Sequence, residues 1–162
     1  TKNPSPVFEG KSSTGIKIEL LNTRGQVIGE TTVSESGKWS IKSEPLDEGS
    51  HEITARSTDA VGNVTESEIP LKITIDTEIS TPSKPDLSDE SDTGQSDSDN
   101  VTTDTSPTFK GTSDPTTLIE LFVGSAVIGT GYSNSRGIWS ITTEGMFGKQ
   151  EVYAVATDRA GN

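Results

Sequence analysis

The chain has 162 residues, a formal net charge of −12 and 28% hydrophobic residues. So acidic a chain is excluded as a nucleic-acid binder, because phosphate contact needs clustered Lys and Arg. The absence of cysteine excludes disulfides, thiolate metal sites and a cysteine nucleophile, and no apolar run approaches the ~18 residues of a membrane span.

The first element carries a motif that returns later. Ser5-Pro6-Val7-Phe8-Glu9-Gly10 recurs as Ser106-Pro107-Thr108-Phe109-Lys110-Gly111, a shift of 101. Next, Ile16, Ile18 and Leu20 alternate with Lys17 and Glu19, the period of a half-buried strand; Ile119-Glu120-Leu121 repeats it. Thr23-Arg24-Gly25 breaks the strand and Val27-Ile28-Gly29 resumes it, which predicts a hairpin. Ser36-Gly37 makes a further turn before Trp39-Ser40-Ile41; Val27-Ile28-Gly29 and Trp39-Ser40-Ile41 both recur at a shift of 100. Ile53, Ala55 and Ser57 alternate with polar neighbours, as do Val152, Ala154 and Ala156. Thr58-Asp59-Ala60-Val61-Gly62-Asn63 recurs at a shift of 99 as Thr157-Asp158-Arg159-Ala160-Gly161-Asn162. Its glycines are expected at positive φ. Ile69, Leu71, Ile73 and Ile75 predict a last strand in the first unit, with Pro70 on its outward face.

A period near one hundred residues marks a tandem of whole domains. No stretch carries a helical period. Each unit reads as about seven short strands with turns every eight to twelve residues, which predicts two antiparallel sandwiches of immunoglobulin type. The fold class is all-β. The expected domains are residues 1–77, an acidic segment 78–105 that is either a linker or the start of the next repeat, and residues 106–162, which lack a last strand. The chain opens and stops in mid-pattern and reads as a window cut from a longer array. Trp39 and Trp139 are the expected central core side chains, each burying on the order of 200 Å².

Charge is uneven. Between Asp76 and Thr105 stand nine acids and one base, Lys84, so −8 of the total lies there and −4 is left to the other 132 residues. Folding brings like charges together at a cost in free energy. The Asp59–Asn63 loop, Asp76 at the end of the last strand and the stretch 86–100 are expected to converge at one end of the first sandwich. Two readings stand at this point: a hard cation held by oxygen ligands, for which calcium suits irregular geometry, or a solvated, self-repelling linker. Zinc is disfavoured by a single His and no Cys. Asp97-Ser98-Asp99-Asn100 places alternating carboxylates on one side of an extended chain. It is not an EF-hand loop, since Val101 and Thr102 stand where that loop needs a ligand and a glycine.

The run Ser91-Asp92-Thr93-Gly94-Gln95-Ser96-Asp97-Ser98-Asp99-Asn100-Val101-Thr102, with Ser106-Pro107-Thr108-Phe109-Lys110-Gly111 after it and Thr-Asp-x-x-Gly-Asn near each unit's end, resembles the bacterial immunoglobulin-like repeats of giant secreted adhesins and large biofilm-associated proteins. The resemblance implies Ca²⁺ at the junctions of a long rod, export through a type I channel and an extracellular, cell-surface location. It implies Asp59, Asp76, Asp92, Asp97, Asp99 and Asn100 as ligands, with Asn63, Asp86 and Asp89 behind them. Asp158 matches Asp59, and its junction partners are expected outside the chain.

The resulting function is a calcium-stiffened structural spacer that presents a distal adhesive tip. Its partners are neighbouring repeats of the same chain, with a host glycan or protein met through other parts, and the chain itself is expected to be monomeric. The alternative is a module that binds a host glycan or protein directly, for which Tyr132, Phe147 and Tyr153 stand against Val33, Glu48 and Thr54 of the first unit. An enzyme is not expected, because no nucleophile motif, phosphate loop or acid/base pair occurs outside the charged segment. His51 stands alone in a turn and has no expected role.

Overall fold

A computed structural model of the chain describes residues 1–96 and 98–162. It divides into two units, Thr1–Thr77 and Glu78–Asn162, and every strand pairing is antiparallel. In unit 1, β1 (Val7–Lys11) pairs β4 (Lys38–Lys42) in one sheet. The facing sheet runs β3 (Val27–Thr32), β2 (Lys17–Leu21), β5 (Gly49–Thr58). On its far edge, β6 (Val64–Glu66) and β7 (Leu71–Ile75) pair successive parts of β5.

Unit 2 repeats this plan. One sheet is β12 (Ile138–Thr142), β9 (Thr108–Thr112), β8 (Asp86–Leu87); the other is β11 (Ala126–Tyr132), β10 (Leu118–Val123), β13 (Val152–Thr157). Both units are the all-β immunoglobulin-like sandwiches that the alternation implies. Even the irregularities repeat: the register slips between Leu20 and Leu21 on β2, and between Leu121 and Phe122 on β10, a bulge that tightens the twist of each hairpin.

The cores match residue by residue. Phe8, Ile18, Leu20, Ile28 and Ile41 are buried in unit 1, and Phe109, Ile119, Leu121 and Ile141 in unit 2. The two tryptophans differ. Trp139 is 1% exposed, whereas Trp39 is half-buried against its core. The reason is the segment before β9. Ser83 bonds Thr112 in both directions, its amide donating to the Thr112 carbonyl at 2.8 Å and the Thr112 amide donating to Ser83 Oγ at 2.9 Å. Leu87 joins the core beside Phe109. Among the described residues, β1 has no such neighbour. The stretch 78–105 is thus folded into unit 2 and supplies the strand that covers Trp139.

Three sequence expectations change. The last strand of unit 1 begins at Leu71, and Ile69 is 83% exposed. Pro70 has no N–H to give the ladder, so the chain leaves β5 between β6 and β7. Tyr132 pairs with Leu118 as Thr32 pairs with Lys17, so Thr32, and not Val33, is its counterpart. Residues 98–100 turn instead of extending, and Asn100 has a φ of 56°.

In both units a glycine meets the indole. A Cβ on Gly111 would overlap Trp139 Cζ2 and stand 2.7 Å from Ser83 Oγ; a Cβ on Gly10 would overlap Trp39 Cζ2. Gly111→Ala is therefore expected to destabilise unit 2 by about 2 kcal/mol, an ordinary overpacking cost. Gly10→Ala is expected to cost less, because Trp39 borders open space and can shift. Calorimetry of both variants checks the order; a larger loss for Gly10→Ala would contradict it.

Candidate metal sites at the sheet ends

Each unit turns from its long return strand through an Asp-x-x-Gly-Asn loop. Asp59 caps its own loop: Oδ1 accepts from the amides of Val61 at 3.0 Å and Asn63 at 2.8 Å, and Oδ2 accepts from Asn63 Nδ2 at 2.7 Å. Asp158 does the same, with Oδ1 accepting from the amides of Ala160, Gly161 and Asn162 at 2.7–2.9 Å and Oδ2 from Asn162 Nδ2 at 2.8 Å. Gly62 and Gly161 take φ values of 91° and 89°, the left-handed conformation that a side chain resists. Donated hydrogen bonds stabilise the ionised carboxylate. The Asn63 side chain and then its amide hold Asp59 below the usual carboxylate range. For Asp158 burial works in the opposite sense, and the bonds from Asn162, Gly161 and Ala160 together outweigh it, so its pKa is lowered too.

The structure corrects where these loops stand. In unit 1, Gly49 pairs with Ile75 while Thr58 pairs with Val64. Asp76 therefore leaves at one end of β5 and Asp59 stands at the other, about 30 Å away at ~3.3 Å per residue. An antiparallel hairpin separates its tip from its exit by the whole strand, so the two carboxylates cannot share an ion. Beside Asp76, the Thr77 amide donates to Glu48 Oε1 at 2.7 Å. In unit 2, Asn162 Nδ2 donates to the Glu78 carbonyl at 3.5 Å. The Asp158 loop thus stands where the chain enters its unit. Asp114, which the sequence reading passed over, lies on the loop leading into the same end of unit 2: its Oδ2 accepts the Ser80 amide at 2.7 Å, and its carbonyl accepts Ser133 Oγ at 2.6 Å.

The acidic run separates into two groups. Asp86 on β8 and Asp89 beyond it both face Lys110, at 4.0 Å for Asp86. Lys110 draws the Asp89 carboxyl below its ordinary range. The second group lies past β8, towards the opposite end of unit 2 from Asp158. There Asp92 is 6% exposed. Its Oδ2 accepts the Asn100 amide at 3.1 Å, and its Oδ1 is buried with no hydrogen-bond partner among the described residues. Asn100 Oδ1 accepts the Leu87 amide at 2.9 Å, and Asp99 Oδ1 accepts the Val101 amide at 3.0 Å. Gly94 lets the two arms of the loop close, since a Cβ there would stand 2.8 Å from the Val101 carbonyl and 3.2 Å from Asp99 Oδ1. Asp97 lies outside the described residues. As the side chains stand, no set of three acids among the described residues converges on one point.

The aromatic side chains also separate. Tyr153 stacks on Phe122 with ring centroids 5.3 Å apart and donates its hydroxyl to the Gly124 carbonyl, a structural role. Tyr132 and Phe147 are 71% and 69% exposed. His51 lies within β5, with Nε2 2.7 Å from the Asp47 carbonyl.

A family profile described as a bacterial Ig-like domain matches the chain twice, over residues 1–77 and 78–162. No curated protein matches. Among solved structures, the chain is similar to a biofilm-associated protein's BSP domain, at 15% identity and TM-score 0.37 over 98% of this chain and 26% of that one. It is similar to a Ca²⁺-stabilized adhesin described as helping an Antarctic bacterium reach out and bind ice, at 19% identity and TM-score 0.39 over 96% and 40%. A third is a tetra-tandem repeat in the extending region of a large adhesion protein, at 18% identity and TM-score 0.40 over 98% and 43%. The chain thus spans less than half the length of each.

Acid stability follows from the two capping loops. A carboxyl held below its unfolded value of about 3.9 contributes stability that is fully present above that value and is lost as the pH falls through the lowered folded value. The melting temperature is expected to fall as the pH drops below about 4. Asp158→Asn is expected to flatten that fall for unit 2; an unchanged acid slope in the variant would refute the capping account.

Proposed function

The chain belongs to the bacterial Ig-like domain family, and we propose that it serves as a structural spacer: two consecutive links of a long surface adhesin, stiffened by calcium and carrying a distal tip away from the cell. Two like-folded units in direct succession suit reach better than chemistry. The observation that carries the calcium reading is the buried Asp92 Oδ1. A carboxylate oxygen out of water without a donor costs several kcal/mol, and a bound cation is the ordinary remedy in an oxygen-rich loop. Asp92 would hold the ion with oxygens of Asp99 and Asn100, and Asp97 lies in the same stretch. At unit 2's other end, the Asp158 loop and the Glu78 carbonyl offer further oxygens.

When bound, calcium supplies positive charge and accepts six to eight oxygens without strict geometry. The residues do the rest. Gly94 and Thr93 close the loop, Thr93 Oγ1 accepting the Thr103 amide at 3.0 Å, and Asn100 ties the loop to β8 through Leu87. Metal that binds only the folded loop stabilises it by linkage, about 2.7 kcal/mol at a hundredfold excess over Kd. Calcium-rich extracellular surroundings, after export through a type I channel, fit that dependence. The adhesive-module reading rests on the exposed Tyr132 and Phe147, and a glycan array probed with the whole chain separates it from the spacer.

Calcium is expected to raise the melting temperature and to lengthen the particle in small-angle scattering, with a chelator reversing both. Asp92→Asn is expected to remove the calcium response of unit 2 and to raise the metal-free melting temperature, because it deletes an unpaired buried charge; Asp86→Asn is expected to keep the response. Superimposable melting and scattering curves with calcium and with chelator would refute the proposal.

A further inference from the structure

The two units differ at one end of one sheet, on the face turned away from the core. In unit 2, Tyr132, Leu118 and Thr157 pair across β11, β10 and β13. Residues directly opposite share a face, and Ile119 beside Leu118 is buried, so the row points outward. With Thr116, Ser133 and Arg159 it lines a pocket of about 560 Å³, a volume within the range of ligand sites. In unit 1 the same row is Thr32, Lys17 and Thr58. There Lys17 is held between Glu19 at 3.0 Å and Glu30 at 2.9 Å, and the flanking counterparts are Gly15, Val33 and Ala60. Gly15, Thr32 and Ala60 are all exposed although β6 pairs along that edge of β5, so a strand beside the row leaves it open.

Unit 2 thus has Tyr132 for Thr32, Arg159 for Ala60 and Thr116 for Gly15. Thr116 is the informative exchange. It keeps a φ of 58° where Gly15 has 79°, and a β-branched residue resists that conformation. Backbone strain of this kind concentrates at functional sites. Ser133, 3% exposed, holds it in place. Its Oγ accepts the Thr117 amide at 2.9 Å and donates to the Asp114 carbonyl at 2.6 Å, bridging the two sides of Thr116; Val33 has no group that could do so. The Asp158 carboxylate beside the pocket is turned onto its own loop. Arg159 is exposed and enters no ion pair among the described residues, which leaves its guanidinium as the charge a ligand would meet.

We propose that this pocket of unit 2 binds an acidic sugar residue, with the pyranose ring against Tyr132, its hydroxyls beside Thr116 and Thr157, and its carboxylate on Arg159. A tyrosine offers a broad apolar face with a polar tip, and the planar guanidinium fork matches a carboxylate. Unit 1 has neither group at this place, so one unit of the tandem carries the site. The inference rests on the adhesive-module reading and narrows it to one pocket, with Tyr132 and not Phe147 as the contact.

The test uses the whole chain, isotope-labelled and kept in chelator so that the outcome is independent of calcium. It is titrated with methyl glucuronide and with methyl glucoside, the same ring with and without a carboxylate. Saturable amide shifts are expected at Thr116, Thr117, Tyr132 and Arg159. The glucuronide is expected to bind about tenfold more tightly, the worth of one charge-assisted hydrogen bond. Arg159→Gln is expected to make the two glycosides equal, Tyr132→Thr to lose both and Phe147→Ala to lose neither. Thr116→Gly is expected to raise the melting temperature by relieving the positive φ and to weaken binding. No shifts with either glycoside at tens of millimolar, equal affinities in the unaltered chain, or binding that survives Tyr132→Thr or is untouched by Thr116→Gly would each overturn the proposal. A glycan-array signal that depends on Phe147 and not on Tyr132 would overturn the pocket while leaving the adhesive-module reading standing.

Discussion

Each sandwich is organised around an indole lying on a glycine. Gly10 and Gly111 have no Cβ, and that vacancy lets Trp39 and Trp139 lie flat on the neighbouring strand. A second pair of glycines repeats the device: a Cβ on Gly29 or Gly129 would meet Ile41 Cγ2 or Ile141 Cγ2 at 2.5 or 2.8 Å. Thin cores suit a chain with 28% hydrophobic residues, because two close-set sheets need few large side chains to fill the space between them. The same closeness makes each tryptophan depend on what lies along the next edge.

Charge is handled at the sheet ends. A carboxylate has about four acceptor sites, and the fold engages most of the acids it brings into loops. Asp59 and Asp158 turn their oxygens onto their own backbone, which makes the loop rigid and keeps the acid ionised. Asp89 and Asp86 share one lysine; such exposed pairs contribute little to stability but set the sign of an edge. Asp92 differs from these. It combines 6% exposure with an oxygen that has no donor among the described residues, and low local dielectric makes that combination costly. Under the calcium proposal, linkage between metal and folding would turn that cost into a dependence on the ion.

Much of this was legible in the chain before folding. The strands around Ile18, Ile28, Ile41 and Ile53 follow from period-two alternation, and the hairpin turns from Gly25 and Gly37, whose φ values are 74° and 73°. The Asp-x-x-Gly-Asn loops were legible as turns through their glycines, but their aspartates read as metal ligands, and only the structure turns Asp59 and Asp158 onto amides two and four residues on. The error about Asp76 was topological: composition collects acids by type, whereas an antiparallel hairpin sends its tip and its exit to opposite ends. Asp114 carried no signal, since a lone Asp before Pro115 reads as a turn residue. The burial of Asp92 was equally hidden, because it depends on how the loop folds back, with the Asn100 amide donating to its Oδ2.

The sequence by itself determined the two-fold repetition, the all-β class, the alternating strand residues that face each core and the acidic bias of residues 76–105. These properties reside in local alternation and in composition, which survive without contacts. The tertiary structure alone decided that residues 78–105 belong to the second unit, that Trp39 and Trp139 differ in exposure, and that a buried oxygen of Asp92 has no partner among the described residues. Each of these depends on pairing between residues distant in the chain, such as Ser83 with Thr112 or Asp92 with Asn100, and no local pattern encodes which partner a strand edge or a buried oxygen finds.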